Sequence, residues 1–226
     1  MSITEKLSKW WDNVWYYYKW WIIIGALVLG ALFISVGDYV GDPPADVTVI
    51  MATEQSYYKN GSVDAFSAAL GEYCPDFDKN GYTHVKIREI NIKPAETTLQ
   101  QLNSLQSKLL AEITLSDNVI YIFDKPIYDK VFKTNDVLDD LSIIDSTITA
   151  ETDKILLKDT GVLDHLDFDK YIKESATSEF PKEREKYDEL YIGIRKLKGT
   201  NVENNKNAKK TFDEAYEFLK NILKDR

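Results

Sequence analysis

Cysteine occurs once, at Cys74, and histidine twice, at His84 and His165. A lone thiol forbids an intramolecular disulfide, a multi-cysteine zinc site and a CxxC redox pair. The chain is therefore held by its core and not by covalent staples. The histidines fall outside any HExxH or nucleophile-triad pattern, and no GxSxG, P-loop or GxGxxG stretch is present. His165 has Asp164, Asp167 and Asp169 beside it, a set weighed as a metal or acid–base cluster and set aside for exposed turn residues, the usual fate of a charge run. The expectation is a protein that is not an enzyme. Basic residues are also scarce: 28 Lys and Arg against 37 Asp and Glu give a net charge of −9. Such a chain repels phosphate backbones, so nucleic acid is excluded as a partner.

Tryptophan is missing from everything after residue 21. All five, Trp10, Trp11, Trp15, Trp20 and Trp21, precede or open the one long apolar run, Trp20 to Gly37, which has no charged residue. Its length is at the short end of the roughly 17 to 25 residues that cross a bilayer as a helix. Tyr17, Tyr18, Trp20 and Trp21 match the aromatic belt at head-group depth, with Lys19 placed to snorkel. Lys6, Lys9 and Lys19 precede the run and no Lys or Arg follows until Lys59, so the positive-inside rule puts the amino terminus in the cytoplasm. A cleaved signal peptide is the rival, with Ser35 and Gly37 as small residues before Asp38. The charged and aromatic lead is too long, and the apolar run exceeds the roughly 7 to 15 residues of a signal h-region. Upstream, Ile3, Leu7, Trp10, Val14, Tyr17 and Trp21 line one helical face, as in a helix lying on the inner leaflet.

The expected organisation is a cytoplasmic aromatic amphipathic segment at 1–19, a transmembrane helix at 20–37, a linker at 38–45 and an extracytoplasmic domain at 46–226. Membrane-interface residues are Trp10, Trp11, Trp15, Tyr17, Tyr18, Lys19, Trp20 and Trp21. The expected location is the cell membrane, single-pass, with the domain extracellular.

About 190 residues follow the apolar run, enough for one ordinary core. Ala45 to Thr53 is continuously apolar, as a strand buried on both faces requires. Ser62 opens a helix carrying Val63, Phe66, Leu70 and Tyr73, which ends by Pro75. Tyr82 to Ile92 alternates as a second strand. Leu99, Leu102, Leu105, Leu109 and Ile113 share a helical stripe from about Thr98. Asn118 to Asp124 reads as a third strand, and Pro126 starts a short helix with Ile127, Val131 and Phe132 inward. The pattern then loosens until a strand at Glu189 to Leu197 and a terminal helix with Phe212, Ala215, Tyr216, Leu219, Ile222 and Leu223 inward. Alternating strands and helices predict a three-layer α/β domain with a mostly parallel sheet. The ten acids between Asp136 and Asp169, against Lys154 and Lys158, read as a solvated surface.

One loop carries candidate chemistry. In DFDKNG, Asp76, Asp78 and Asn80 occupy positions 1, 3 and 5 of a calcium loop, Gly81 position 6, and the Tyr82 carbonyl would serve at position 7. Position 12 is Ile87 where a bidentate glutamate is needed, so calcium is a weak candidate and no other cofactor is expected. Asp, Asn and Gly are also what a plain turn uses.

The order of elements, above all SKLLAEITLSDNVIYIFDKPIYDKVFKTNDVLDDLSIID (Ser107 to Asp145), resembles the first lobe of the extracellular solute-binding proteins of ABC transporters. The YYKWW before the apolar run is similar to small membrane-anchored proteins of Gram-positive bacteria that carry such lobes. The resemblance implies a periplasmic-binding-protein-like lobe and a non-enzymatic module that binds a small-molecule ligand or a membrane protein partner. The chain has room for one lobe at typical domain sizes where two close on a solute. The alternative is a structural or assembly component of a cell-envelope complex that docks through its anchor.

Overall fold

The computed structural model describes residues 15–21, 23–30, 44–54, 62–92, 98–115, 117–145, 148, 152–171, 185–197, 203 and 205–224. The chain divides into two units, Met1–Pro44 and Ala45–Arg226. In the first, residues 15–21 and 23–30 are helical. Its apolar side chains are turned outward: Tyr17, Trp20, Trp21, Leu27 and Leu29 are each more than half exposed. Among the described residues no helix is long and apolar enough to cross a membrane. The expected span, Trp20 to Gly37, falls only partly within them, and Trp10 and Trp11 lie outside them.

The second unit is an α/β domain around one five-stranded sheet with strand order β2-β1-β3-β5-β4. Its strands are β1 (Val47–Thr53), β2 (Val85–Asn91), β3 (Ile120–Phe123), β4 (Ile155–Leu156) and β5 (Tyr191–Ile194). The main helices are α1 (Ser62–Gly71), α2 (Leu99–Leu115), α3 (Lys125–Ile127), α4 (Phe168–Tyr171) and α5 (Lys206–Lys224). β1 lies parallel to both β2 and β3.

The period of two in a strand explains the two cores. Val49 and Met51 of β1 face one side, with Phe66 and Leu70 of α1 and Phe218, Leu219 and Ile222 of α5. Ile50 and Ala52 face the other, with Leu109 and Ile113 of α2 and Phe132 beyond α3. All four β1 residues are fully buried, which is why the stretch had to be apolar without alternation. β2 lies at the edge: Lys86 and Arg88 stay exposed while Val85 and Ile90 are buried. Its strand begins at Val85, short of the expected Tyr82, which is exposed.

The expected parallel sheet holds at the centre and fails at one side. β5 is antiparallel to β3, with Phe123 opposite Tyr191 and Ile120 opposite Ile194. β4, in the region expected to hold few elements, pairs antiparallel with β5. β4 and β3 both exit at the end of the sheet where Tyr191 begins β5, so the next strand returns in the opposite direction. After β4 and before β5 come short 3₁₀ turns, Leu157–Asp159 and Gly161–His165, with Leu157, Val162 and Leu163 buried.

Among the described glycines, Gly193 in β5 is the one where a side chain has no room. A Cβ there would meet the Asp153 backbone oxygen at 2.9 Å. Gly193→Ala should push the 153–154 segment outward and cost about 1–3 kcal/mol, as overpacking does. Gly71→Ala, at the end of α1 with nothing within 4 Å, should gain up to about 1 kcal/mol from reduced unfolded-state entropy. Thermal melting of the two variants checks the contrast; equal effects would contradict the close approach.

Candidate functional site

β1 connects to β2 through α1 on one face of the sheet, and β2 connects to β3 through α2 on the other. The chain leaves β1 for the face that α1 covers and leaves β3 for the opposite face, where Ile127 of α3 and Phe132 pack, which makes the carboxyl ends of these neighbours a topological switch point, where open α/β sheets form a crevice. A cavity of about 430 Å³ lies there, with Glu54, Asp124, Lys125, Lys158, Glu189 and Tyr191 among its walls.

Asp124 is the buried centre of this end. Its Oδ2 accepts from the Glu54 amide at 2.7 Å and its Oδ1 from the Ile127 amide at 3.0 Å. The second bond caps α3, whose Pro126 suits a first turn that needs no amide donor. Glu54 also pairs with Lys130. α3 continues into a π-helical turn, Tyr128–Phe132, closed by the Lys133 amide on the Tyr128 carbonyl at 2.9 Å. Such widened turns are frequent at functional sites.

A second cavity, about 600 Å³, adjoins the first; Leu156 and Tyr191 belong to both, and Thr152, Lys154 and Asp159 are among its walls. At this junction Phe123 stacks against Tyr128 (centroids 5.8 Å) and Tyr191 (6.2 Å). Lys154 Nζ lies 3.6 Å from the Tyr128 ring centroid, 5.7 Å from that of Tyr191, and 3.3 Å from Asp153 Oδ1. Tyr128 donates its hydroxyl proton to Asp153 Oδ2 at 2.8 Å. Burial pushes the Lys154 ammonium down, but the Tyr128 hydroxyl and the Asp153 charge outweigh it, and the net shift is upward. Burial raises Tyr128 as well. Lys154 is thus held as a cation.

The DFDKNG loop is a separate feature. The Asn80 amide donates to Asp76 Oδ1 and Asp78 Oδ1, at 3.1 and 3.0 Å, and the Gly81 amide to Asp76 Oδ2 at 2.8 Å. Gly81 has φ +88°, which explains the glycine at position 6. Asn80 Oδ1 accepts from the Tyr82 amide, and Asp78 Oδ2 from Asn80 Nδ2. Ile87 lies within β2 and closes nothing. The sequence reading missed Asp46, whose Oδ1 accepts from the Phe77 and Asp78 amides and whose Oδ2 accepts from the His84 backbone amide. Oxygen ligand atoms of Asp46, Asp76 and Asp78 lie within 4.8 Å of one another, a donor set of the kind calcium takes. The hydrogen bonds show these carboxylates closing a turn. His165 lies edge-on to the Tyr73 ring, centroids 5.6 Å apart, and the metal-competent grouping among the described residues does not include it.

The Gly81 amide, above all, holds the Asp76 carboxyl below its ordinary range. A depressed folded-state pKa contributes stability that is present above the unfolded value, about 3.9, and is lost as pH falls through the folded one. Asp76→Asn should therefore flatten the acid limb of a melting-temperature profile below pH about 4; an unchanged limb would contradict the assignment. Comparison with protein-family models, with curated proteins and with solved structures finds no match.

Proposed function

We propose that the chain is a single-pass, membrane-anchored, non-enzymatic module that holds its α/β domain outside the cytoplasm and binds a small solute there. The observation that carries this reading is the crevice at the ends of β1 and β3, where charged and aromatic side chains converge at a switch point. The β2-β1-β3 order supports reading the domain as one lobe of the solute-binding type. The lysine bias and the outward aromatic side chains of residues 15–21 support the anchor and its interface. The acidic domain suits a solute that is not an anion.

A second reading, an assembly component of an envelope complex docking through the anchor, is favoured by one observation. The described strands form a single sheet, which leaves a solute one lobe and not two to close upon.

The full chain in detergent micelles, melted with sugars, peptides, amino acids and metal ions, tests the first reading. A binder at 100 times its dissociation constant should stabilise the fold by about 2.7 kcal/mol. No shift with any of them would favour the assembly role. The anchor has its own test, since every tryptophan lies at or before Trp21. Transfer from a lipid-free state to lipid vesicles should shift tryptophan emission to the blue, and an unshifted spectrum would contradict an interfacial flank.

A further inference from the structure

At the junction of the two cavities the protein has built a cation site and filled it with its own side chain. Two tyrosine rings and a carboxylate hydrogen-bonded to one of them converge on the Lys154 ammonium, and Phe123 stacks against both rings. An aromatic face and a counter-charge around an ammonium are the chemistry by which proteins recognise organic cations. The parts come from four places in the chain: Phe123 at the end of β3, Tyr128 on the π-helical turn, Asp153 before β4, and Tyr191 at the start of β5. Gly193 lets the Asp153 backbone approach β5, so the carboxylate's position depends on a residue with no side chain. The Lys154 side chain remains about a quarter exposed. It lies on the wall of a cavity, so it has somewhere to go. Acids outnumber lysines on the adjoining wall, with Glu54, Asp124, Asp188 and Glu189 against Lys125 and Lys158.

We infer that Tyr128, Tyr191 and Asp153 form a recognition site for the alkylammonium group of a small solute, and that Lys154 is an internal competitor that the solute displaces. This rests on reading the crevice as a binding site, and it names the ligand chemistry. A tethered competitor weakens the solute's apparent affinity by the fraction of time it occupies the cage.

The test is chemical rescue in the full chain. Lys154→Ala removes Cγ, Cδ, Cε and Nζ, a propylammonium's worth of atoms, and n-propylammonium is the probe, with n-propanol and sodium as controls. The variant should melt below the wild type, and the probe should raise its melting temperature saturably, binding about ten-fold or more tightly than it binds the wild type. Adding Asp153→Asn should abolish the rescue. Equal binding by wild type and variant, rescue by n-propanol alone, or a folded variant that the probe leaves unchanged would each overturn the proposal. Should Lys154→Ala not fold, the wild type carries the test by NMR. Ring currents displace the Lys154 ε-methylene resonance, and saturating probe should return it to the position of a solvated lysine; a resonance that does not move overturns the proposal. A wild type that binds only solutes lacking an ammonium group overturns the cage while leaving crevice binding intact.

Discussion

Asp124 accepts hydrogen bonds from the Glu54 amide, just past β1, and from the Ile127 amide in the single turn of α3. It is buried, so the buried Ile127 amide would be stranded without it and the half-buried Glu54 amide would lose this partner. A hydrogen bond to a charged group contributes about 1.5–3 kcal/mol, and an unsatisfied buried amide costs a similar amount. Each side of the switch point is therefore fixed by one carboxylate. The direction in which α3 leaves the sheet, and with it the position of Tyr128 one turn later, depends on that cap. The pairing of Glu54 with Lys130 ties the same two segments a second time, nearer the surface.

From this fixed point the rest of the crevice follows. Phe123 precedes Asp124, and its ring is the surface against which Tyr128 and Tyr191 are laid. Tyr191 can lie there because β5 runs antiparallel to β3 and begins where β3 ends. Asp153 and Lys154 enter β4 beside Gly193, and their side chains reach Tyr128 and Tyr191 from there. A parallel β5 would have brought its other terminus, Ile194, to Phe123, and the cage would lack one wall. The DFDKNG loop is organised by comparable means, a carboxylate of one segment receiving the amides of another, yet it is independent of the crevice.

Local signals in the sequence were sufficient for the central strands and the main helices. Ala45 to Thr53 reads as doubly buried, and in the strand Val47–Thr53 every position but Thr48 is buried; the spacing of Phe66 and Leu70 or of Leu109 and Ile113 matches the faces they bury. Where the outcome depends on a partner far along the chain, the sequence is silent. The direction of β5 and the existence of a two-residue β4 are set by pairing, not by propensity. Asp46 joins the loop from about thirty residues upstream. Asp153 and Lys154 stood inside an acidic run that reads as solvated surface, and nothing local marks them as partners of Tyr128 and Tyr191. Asp140 of the same run caps a 3₁₀ turn through the Ser142 amide, and Asp136 pairs with Lys196. Part of that run is thus structural and not merely solvated.

A solute-binding role requires the α/β domain to lie outside the cytoplasm, and one labelling measurement decides this. Cys74 is buried, and burial together with nearby carboxylates pushes its thiol up to about 12, so the native chain should be silent to maleimides. Tyr82→Cys places a thiol at an exposed position whose backbone hydrogen bond is unaffected. Intact cells carrying that variant, treated with a membrane-impermeant maleimide, should be labelled as fully as lysed cells. Labelling that appears only after lysis would place the domain in the cytoplasm and contradict the function proposed for it.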